Sequence, residues 1–221
     1  VQQAGRAAEL VLGDVTTPGL SAQLLDAAEA RFGRCDVVFA NAGYGLHSPM
    51  HTLDEAALRR IFEVNFFAAT ELLALAARRM IAAGCRGHLL MCSSAVARLT
   101  LPGLGAYSAT KAAQHHVCRA MRMDLRRHGI AVSSVHPIGT RTPFFARAAE
   151  MSGQPHAAAQ DIGGPAWTRQ PPERVARAVV RCLRRRNPEV WTSFGVRVAA
   201  AVMTVFPRTM DALAWKARRG D

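Results

Sequence analysis

The segment "YSATK" places Tyr107 four positions before Lys111. Both types are scarce in this chain: of 28 basic residues only Lys111 and Lys216 are lysines, and the tyrosines are only Tyr44 and Tyr107. On a helix, residues four apart share a face, so a phenol and an ammonium stand side by side. A free phenol has a pKa near ~10, too high for efficient proton exchange at neutral pH, and an adjacent ammonium favours the phenolate. The spacing therefore points to acid–base chemistry.

Such a pair needs a scaffold, and the hydrophobic pattern supplies one. Apolar runs of strand length lie at 8–15 ("AELVLGDV"), 35–43 ("CDVVFANAG"), 87–94 ("GHLLMCSS"), 130–137 ("IAVSSVHP") and 188–193 ("PEVWTS"). Helical patterns separate them. The first runs from 16 to 33, with Pro18 near its start and Gly33 at its end. The next, 53–84, opens on a Thr52/Glu55 capping box and keeps helical period at Leu58, Ile61, Phe62, Phe66, Ala69 and Leu73. Residues 106–128 carry "YSATK", with Ala113, Val117, Met121 and Leu125 on one stripe and Gly129 as the stop. A further helix starts at "PPERVA", and a basic terminal helix over 195–217 is broken by Pro207. Alternating strands and helices predict an α/β fold, a doubly wound parallel sheet in one domain spanning 1–221. In such sheets ligands bind beyond the carboxyl ends of the strands. Asp14, Asn41–Gly43, Ser93–Ser94 and Pro137 all fall there and gather on one edge.

Composition narrows the function classes. The 221 residues suit one α/β domain, which can exceed the ~150-residue prior. The net charge of +12 raises the question of nucleic acid, but the excess is arginine dispersed along helices with few aromatics between. That reads as a solvated basic surface and not a nucleic-acid stripe. Cys35, Cys85, Cys92, Cys118 and Cys182 show no metal-type spacing, and no metal site is expected. They read as free thiols in a reducing compartment. The longest apolar run, 196–206, falls short of a ~20-residue membrane span, and no signal-peptide pattern is present, so a cytoplasmic protein is expected.

Taken in order, Asp14 and Val15, the Asn41-Ala42-Gly43 turn, Asn65 in "VNFFA", Ser94 thirteen positions before Tyr107, Tyr107 and Lys111, and "HPIGTRT" (136–142) resemble the short-chain dehydrogenase/reductase family, in its shorter single-domain branch. The resemblance runs from Asp14 to about Val190. It implies a Rossmann-like fold and an NAD- or NADP-dependent oxidoreductase that interconverts a carbonyl and a secondary alcohol. Tyr107 would be the acid in reduction and the base in oxidation. Lys111 would lower its pKa and bind the cofactor ribose, Ser94 would hold the substrate oxygen, and Asn65 would hold a water linking Lys111 to solvent. Asp14 and Val15 would border the adenine, Asn41, Ala42 and Gly43 would pass beside the cofactor with Pro137, and Thr142 would touch the carboxamide.

Two departures stand out: Ile138 where the family has glycine, expected to crowd the nicotinamide, and Ala69 where glycine is common. No G-x-x-x-G-x-G turn occurs in the 221 residues. The resemblance therefore places the start of the chain in the helix before the third strand, without the first strand–helix–strand unit. That leaves a catalytically idle scaffold as the alternative to an enzyme, and leaves the choice between the two cofactors unread. The resemblance also implies a homodimer or homotetramer through the helices at 53–84 and 106–128. Of the paired His115 and His116, surface or subunit-contact positions are expected. Tyr44 is read either as a substrate-side residue or as an exposed loop aromatic. The stretch 143–168 reads as a flap, whose Phe144, Phe145, Met151 and Trp167 lean toward an apolar substrate. The terminal segment 195–217 is read as touching substrate or a neighbouring subunit, in preference to a basic, apolar helix lying in a membrane interface.

Overall fold

The structure, a computed structural model, describes residues 5–153, 169–208 and 211–212. Four of the five strand-length runs pair. Strands β1 (Val37–Ala40), β2 (His88–Cys92), β3 (Ala131–His136) and β4 (Glu189–Trp191) form one sheet in that order, each neighbour parallel to the next. Parallel neighbours need long crossovers, and helices supply them. Helix α1 (Leu20–Phe32) precedes β1, and α2 (Glu55–Phe62) and α3 (Ala68–Ala82) link β1 to β2. Helix α4 (Gly105–Leu125) links β2 to β3, α5 (Phe144–Met151) and α6 (Pro172–Arg185) precede β4, and α7 (Phe194–Val205) follows it.

Strand side chains alternate between faces, and both faces of the sheet are used. Leu89, Met91 and Val132 pack with Leu25 of α1, Leu73 and Met80 of α3, and Cys118 and Leu125 of α4. Leu90, Val135 and Val190 point the other way, onto Val175, Val179 and Cys182 of α6. This is the doubly wound α/β arrangement the pattern predicts. Burying each such side chain contributes about 1.5–3 kcal/mol. A third cluster joins Leu46, Ile61, Ala106 and Tyr107, with Tyr44, Phe62 and Phe144 against it. It lies at the carboxyl side of the sheet and sets the walls of the site.

Several expectations need correction. Residues 8–15 form no strand: they lie in irregular backbone, with Leu10 76% and Leu12 82% exposed. An apolar run becomes a strand only when a neighbour takes its backbone groups, and among the described residues none lies beside it. The cap of α2 is Asp54, whose carboxylate accepts the Ala57 N–H at 3.0 Å, whereas the Thr52 hydroxyl donates to the Pro49 carbonyl. The expected single helix over 53–84 is interrupted by a π-helical turn, Glu63–Phe67, where the Ala68 N–H reaches back five residues to Glu63. The buried stripe of α4 is more polar than expected: Tyr107, Thr110, Lys111, Gln114, His115 and Cys118 face inward, with Leu125. Stops fall as expected, at Gly33 (φ 78°) and Gly129 (φ 68°), where a left-handed backbone suits glycine. Helix α7 ends before Pro207. Within the expected flap, 144–151 is helix, while 154–168 with Trp167 lies outside the described residues, as do Lys216 and most of the tail beyond Arg208.

Candidate active site

Helix α4 carries Tyr107 and Lys111 one turn apart, both buried. The Lys111 ammonium lies 5.6 Å from the Tyr107 ring centroid and donates to the Cys92 carbonyl at 2.8 Å. The end of β2 is tied to the same turn of α4, since the Ser93 hydroxyl donates to the Lys111 carbonyl at 2.8 Å. Ser94 follows as the cap of a 3-10 turn, its hydroxyl accepting the Val96 N–H at 3.3 Å, and it lies near enough to the Tyr107 phenol to lower its pKa. Phe144 of α5 closes on the Tyr107 ring at 5.7 Å.

Asn65 sits in the π turn and is fully buried. Its side-chain amide donates to the Tyr44 carbonyl at 2.9 Å, and its oxygen accepts the Tyr44 N–H at 3.0 Å. This two-way pairing clamps the loop after Gly43. The same amide reaches Thr110 of α4 at 3.2 Å, and Gln114 donates to the Asn65 backbone carbonyl. Both ends of the Asn65 side chain, which the sequence reading gave to a bridging water, thus meet protein groups. A Cβ at Gly43 would stand 2.9 Å from the Asn65 oxygen and 3.5 Å from the Lys111 ammonium nitrogen, so only glycine lets the chain pass there.

The electrostatics also depart from expectation. Burial pushes the Tyr107 phenol above its ordinary value, Cys92 pushes it the same way, and Ser94 pulls it back. Burial likewise lowers the Lys111 ammonium. Desolvation disfavours the charged form of each, and it outweighs the lowering of Tyr107 that proximity to Lys111 alone would give.

Behind Ser94 lies a polar chain that the sequence reading missed. His136 Nδ1 is 3.0 Å from the Ser94 carbonyl, which can only accept, so Nδ1 carries the proton. His136 Nε2 then accepts from the Ser134 hydroxyl at 2.9 Å, and His115 Nδ1 donates to that hydroxyl at 3.3 Å. Trp191 stacks on His136, centroids 4.5 Å apart, and donates to Glu189 at 2.9 Å. His115 is buried and not a surface residue, while His116 is exposed. Burial holds the pKa of His115 down at about 4. The signal was present in the spacing: His115 is one turn beyond Lys111, and Ser134 and His136, two apart in a strand, share its face.

The remaining predicted positions surround this cluster unevenly. Asn41 and Ala42 are exposed on the loop after β1, beside Gly43. The Pro137 carbonyl accepts the Ala95 N–H at 3.0 Å, which binds the ends of β2 and β3 together. Ile138 keeps φ outside the left-handed region, and its N–H donates to Thr192 at 3.2 Å, so the side chain imposes no backbone strain. Thr142 is exposed at the start of α5, its hydroxyl 3.4 Å from the Phe144 N–H. Asp14 is also exposed. Its carboxylate accepts from Thr16 and pairs with Arg60 of α2, and Val15 beside it is half-buried. Tyr44 is half-buried and packs toward Tyr107.

The close approach at Gly43 and the buried ammonium beside it fit the ribose and nicotinamide half of a dinucleotide.

Comparison with known proteins bears on the same region. The short chain dehydrogenase family model matches residues 1–153. Over 180 residues the chain is 35% identical to cis-4-hydroxycyclohexanecarboxylate dehydrogenase of Sinomonas cyclohexanicum, covering 81% of this chain and 70% of that protein. It is 38% identical over 107 residues to the oxidoreductase YbbO of Escherichia coli K12, a match covering 48% of this chain and 39% of that relative's length. Among solved structures, a short-chain dehydrogenase from Streptomyces avermitilis superposes with a TM-score of 0.76 at 25% identity, covering 99% of this chain and 82% of that one. A 7α-hydroxysteroid dehydrogenase complexed with NADH and 7-oxo glycochenodeoxycholic acid gives 0.69 at 25% identity, covering 82% and 69%. The chain therefore belongs to the short-chain dehydrogenase family.

Proposed function

We propose that the protein is an NAD(P)-dependent oxidoreductase that interconverts a lipophilic ketone and its secondary alcohol, with Tyr107 as the proton donor and acceptor. The observation that carries this reading is the convergence of Tyr107, Lys111, Ser94 and Asn65 from α4, the end of β2 and the π turn. A bound nicotinamide dinucleotide supplies the hydride in reduction and takes it in oxidation. The chain's own residues handle the proton. Because burial holds the phenol in its protonated form, Tyr107 is stocked as the acid. As a C–H bond forms at the carbonyl carbon, the C=O π pair moves to oxygen, which takes the Tyr107 proton. Ser94 donates a hydrogen bond to the same oxygen as its charge grows. Lys111 stabilises the phenolate left behind and, with the backbone at Gly43, holds the ribose. Asn65 positions the Tyr44 loop and α4 relative to each other.

The walls suggest the substrate class. Tyr44, Leu46, Val96 and Phe144 surround the Tyr107 ring with apolar surface. Two of the similar dehydrogenases, those for cis-4-hydroxycyclohexanecarboxylate and for 7α-hydroxysteroids, are named for hydroxylated ring compounds, while a similar acetoin dehydrogenase is named for an acyclic one. The long helices α3 and α4 suit a homodimer or homotetramer. The test is the absorbance of reduced nicotinamide, followed with NADH and NADPH against a panel of alicyclic ketones and alcohols. Ketone-dependent oxidation of one cofactor is expected. Absence of turnover across the panel, with no nucleotide binding in titration, would favour an idle scaffold.

A further inference from the structure

Helix α7 follows β4 and contains, over Phe194–Val205, a single charged residue, Arg197. Such a helix should be buried on all sides. Instead only Ala200 is fully buried, with Val196 and Met203 half-buried beside it. These three fall on one side of the helical wheel and dock α7 onto the body. The opposite side carries Phe194, Val198, Val202 and Val205 at spacings of four, four and three, and all are exposed, Phe194 to 78% and Val205 to 67%. Phe206 extends the stripe past the helix end and is also exposed. Relative to the described residues the stripe therefore faces outward, neither turned onto a cleft nor packed in the core, which leaves it open to a partner.

Charge decides between the occupants of this face. From Thr192 to Arg208 the sequence holds two arginines, Arg197 and Arg208, and no Asp or Glu. Both arginines are exposed, and Arg197 lies on the wheel beside the stripe. Elsewhere on the protein, α6 also carries exposed arginines, Arg174, Arg177, Arg181, Arg184 and Arg185. A second copy would bring the same positive charges against Arg197 and Arg208, whereas an anionic surface complements them. At 12 residues the helix is ~18 Å long, and among the described residues no helix is long and apolar enough to cross a membrane. An apolar stripe with basic flanks on a helix of this kind suits one lying in the plane of an interface.

We infer that α7 docks the protein onto an anionic lipid surface, with Phe194, Val198, Val202, Val205 and Phe206 entering the headgroup–acyl boundary and Arg197 and Arg208 meeting lipid phosphates. This places the apolar substrate class proposed above beside a lipid phase, but it does not depend on that activity.

The purified protein is sedimented with vesicles of phosphatidylcholine containing about one-quarter phosphatidylglycerol, and with vesicles of phosphatidylcholine alone. Binding to the anionic vesicles is expected, with the pair Phe194→Ser and Phe206→Ser weakening it about tenfold or more. Arg197→Gln with Arg208→Gln should weaken the preference for anionic vesicles, by about fivefold per charge. All four side chains are exposed, so far-UV circular dichroism and the melting temperature should stay as in the wild type. Failure of the wild type to sediment with anionic vesicles would overturn the inference. So would sedimentation indifferent to the phenylalanine pair. A fall in particle size in light scattering on Phe194→Ser, without change in lipid binding, would instead assign the stripe to a second copy.

Discussion

Strand β2 with its following turn and the stretch 8–15 are similar in length and apolar content but differ in surroundings. β2 is paired in parallel on both sides, to β1 and β3, and packed on both faces by α3, α4 and α6. Its end is tied to α4 through two separate hydrogen bonds, at Cys92 and Ser93, which sets Ser94 beside Tyr107. Residues 8–15 have no such neighbours, and their leucines stand in solvent. Apolar content favours burial, but backbone pairing turns a favourable run into a positioned element. Only a positioned element can hold a reactive group within hydrogen-bond reach of another.

The contrast can be broken first at the chemistry. Lys111→Arg keeps the charge but puts a longer planar guanidinium where a compact ammonium reaches the Cys92 carbonyl at 2.8 Å. Turnover should fall about 10²-fold or more, measured by steady-state kinetics with circular dichroism as the folding control. Wild-type activity in that variant would detach Lys111 from the reaction.

The next effect is on stability. Leu90→Ala, in the fully buried centre of β2, should cost about 2–5 kcal/mol in urea unfolding. Acid supplies an independent probe of the same core. Burial lowers the pKa of His88 and of His115 from 6.5 to about 4. The unfolded chain therefore binds more protons than the folded one between those values. Stability is fully present above pH 6.5 and is lost as pH falls toward 4, by up to about 1.4 kcal/mol per pH unit for each histidine. A urea midpoint that stays level across this window would contradict the burial of both rings. The smallest effect belongs to the other region: Leu12→Ser should leave stability within about 0.5 kcal/mol. A loss of the size expected for Leu90 would show that residues 8–15 are packed after all.

Much of the site was legible because it rests on local spacing. Tyr107 and Lys111 are one helical turn apart in the sequence and remain so in the fold. The placement of Ser94 and Asn41–Gly43 follows from strands ending on a common edge. The rest depended on what chain pattern does not encode. The π turn at Glu63–Phe67 shifts the backbone register by one residue and turns Asn65 inward, and no periodicity announces it. Gln114 carried no signal and His115 read as a surface or subunit-contact residue, yet a carbonyl freed at Asn65 and a serine on β3 give them buried partners. For the tail, apolar content alone does not say which side is covered: among the described residues the body of the protein meets only the Val196, Ala200 and Met203 side of that helix.

The central claim is that the Tyr107 hydroxyl moves the proton while the surrounding cluster only positions and tunes it. Tyr107→Phe removes that single oxygen and leaves the ring against Phe144. With a ketone that the wild type reduces, the rate of reduced-nicotinamide oxidation should fall about 10²–10⁴-fold, while nucleotide affinity and melting temperature stay close to wild type. Turnover at the wild-type rate in the Tyr107→Phe variant would contradict the account.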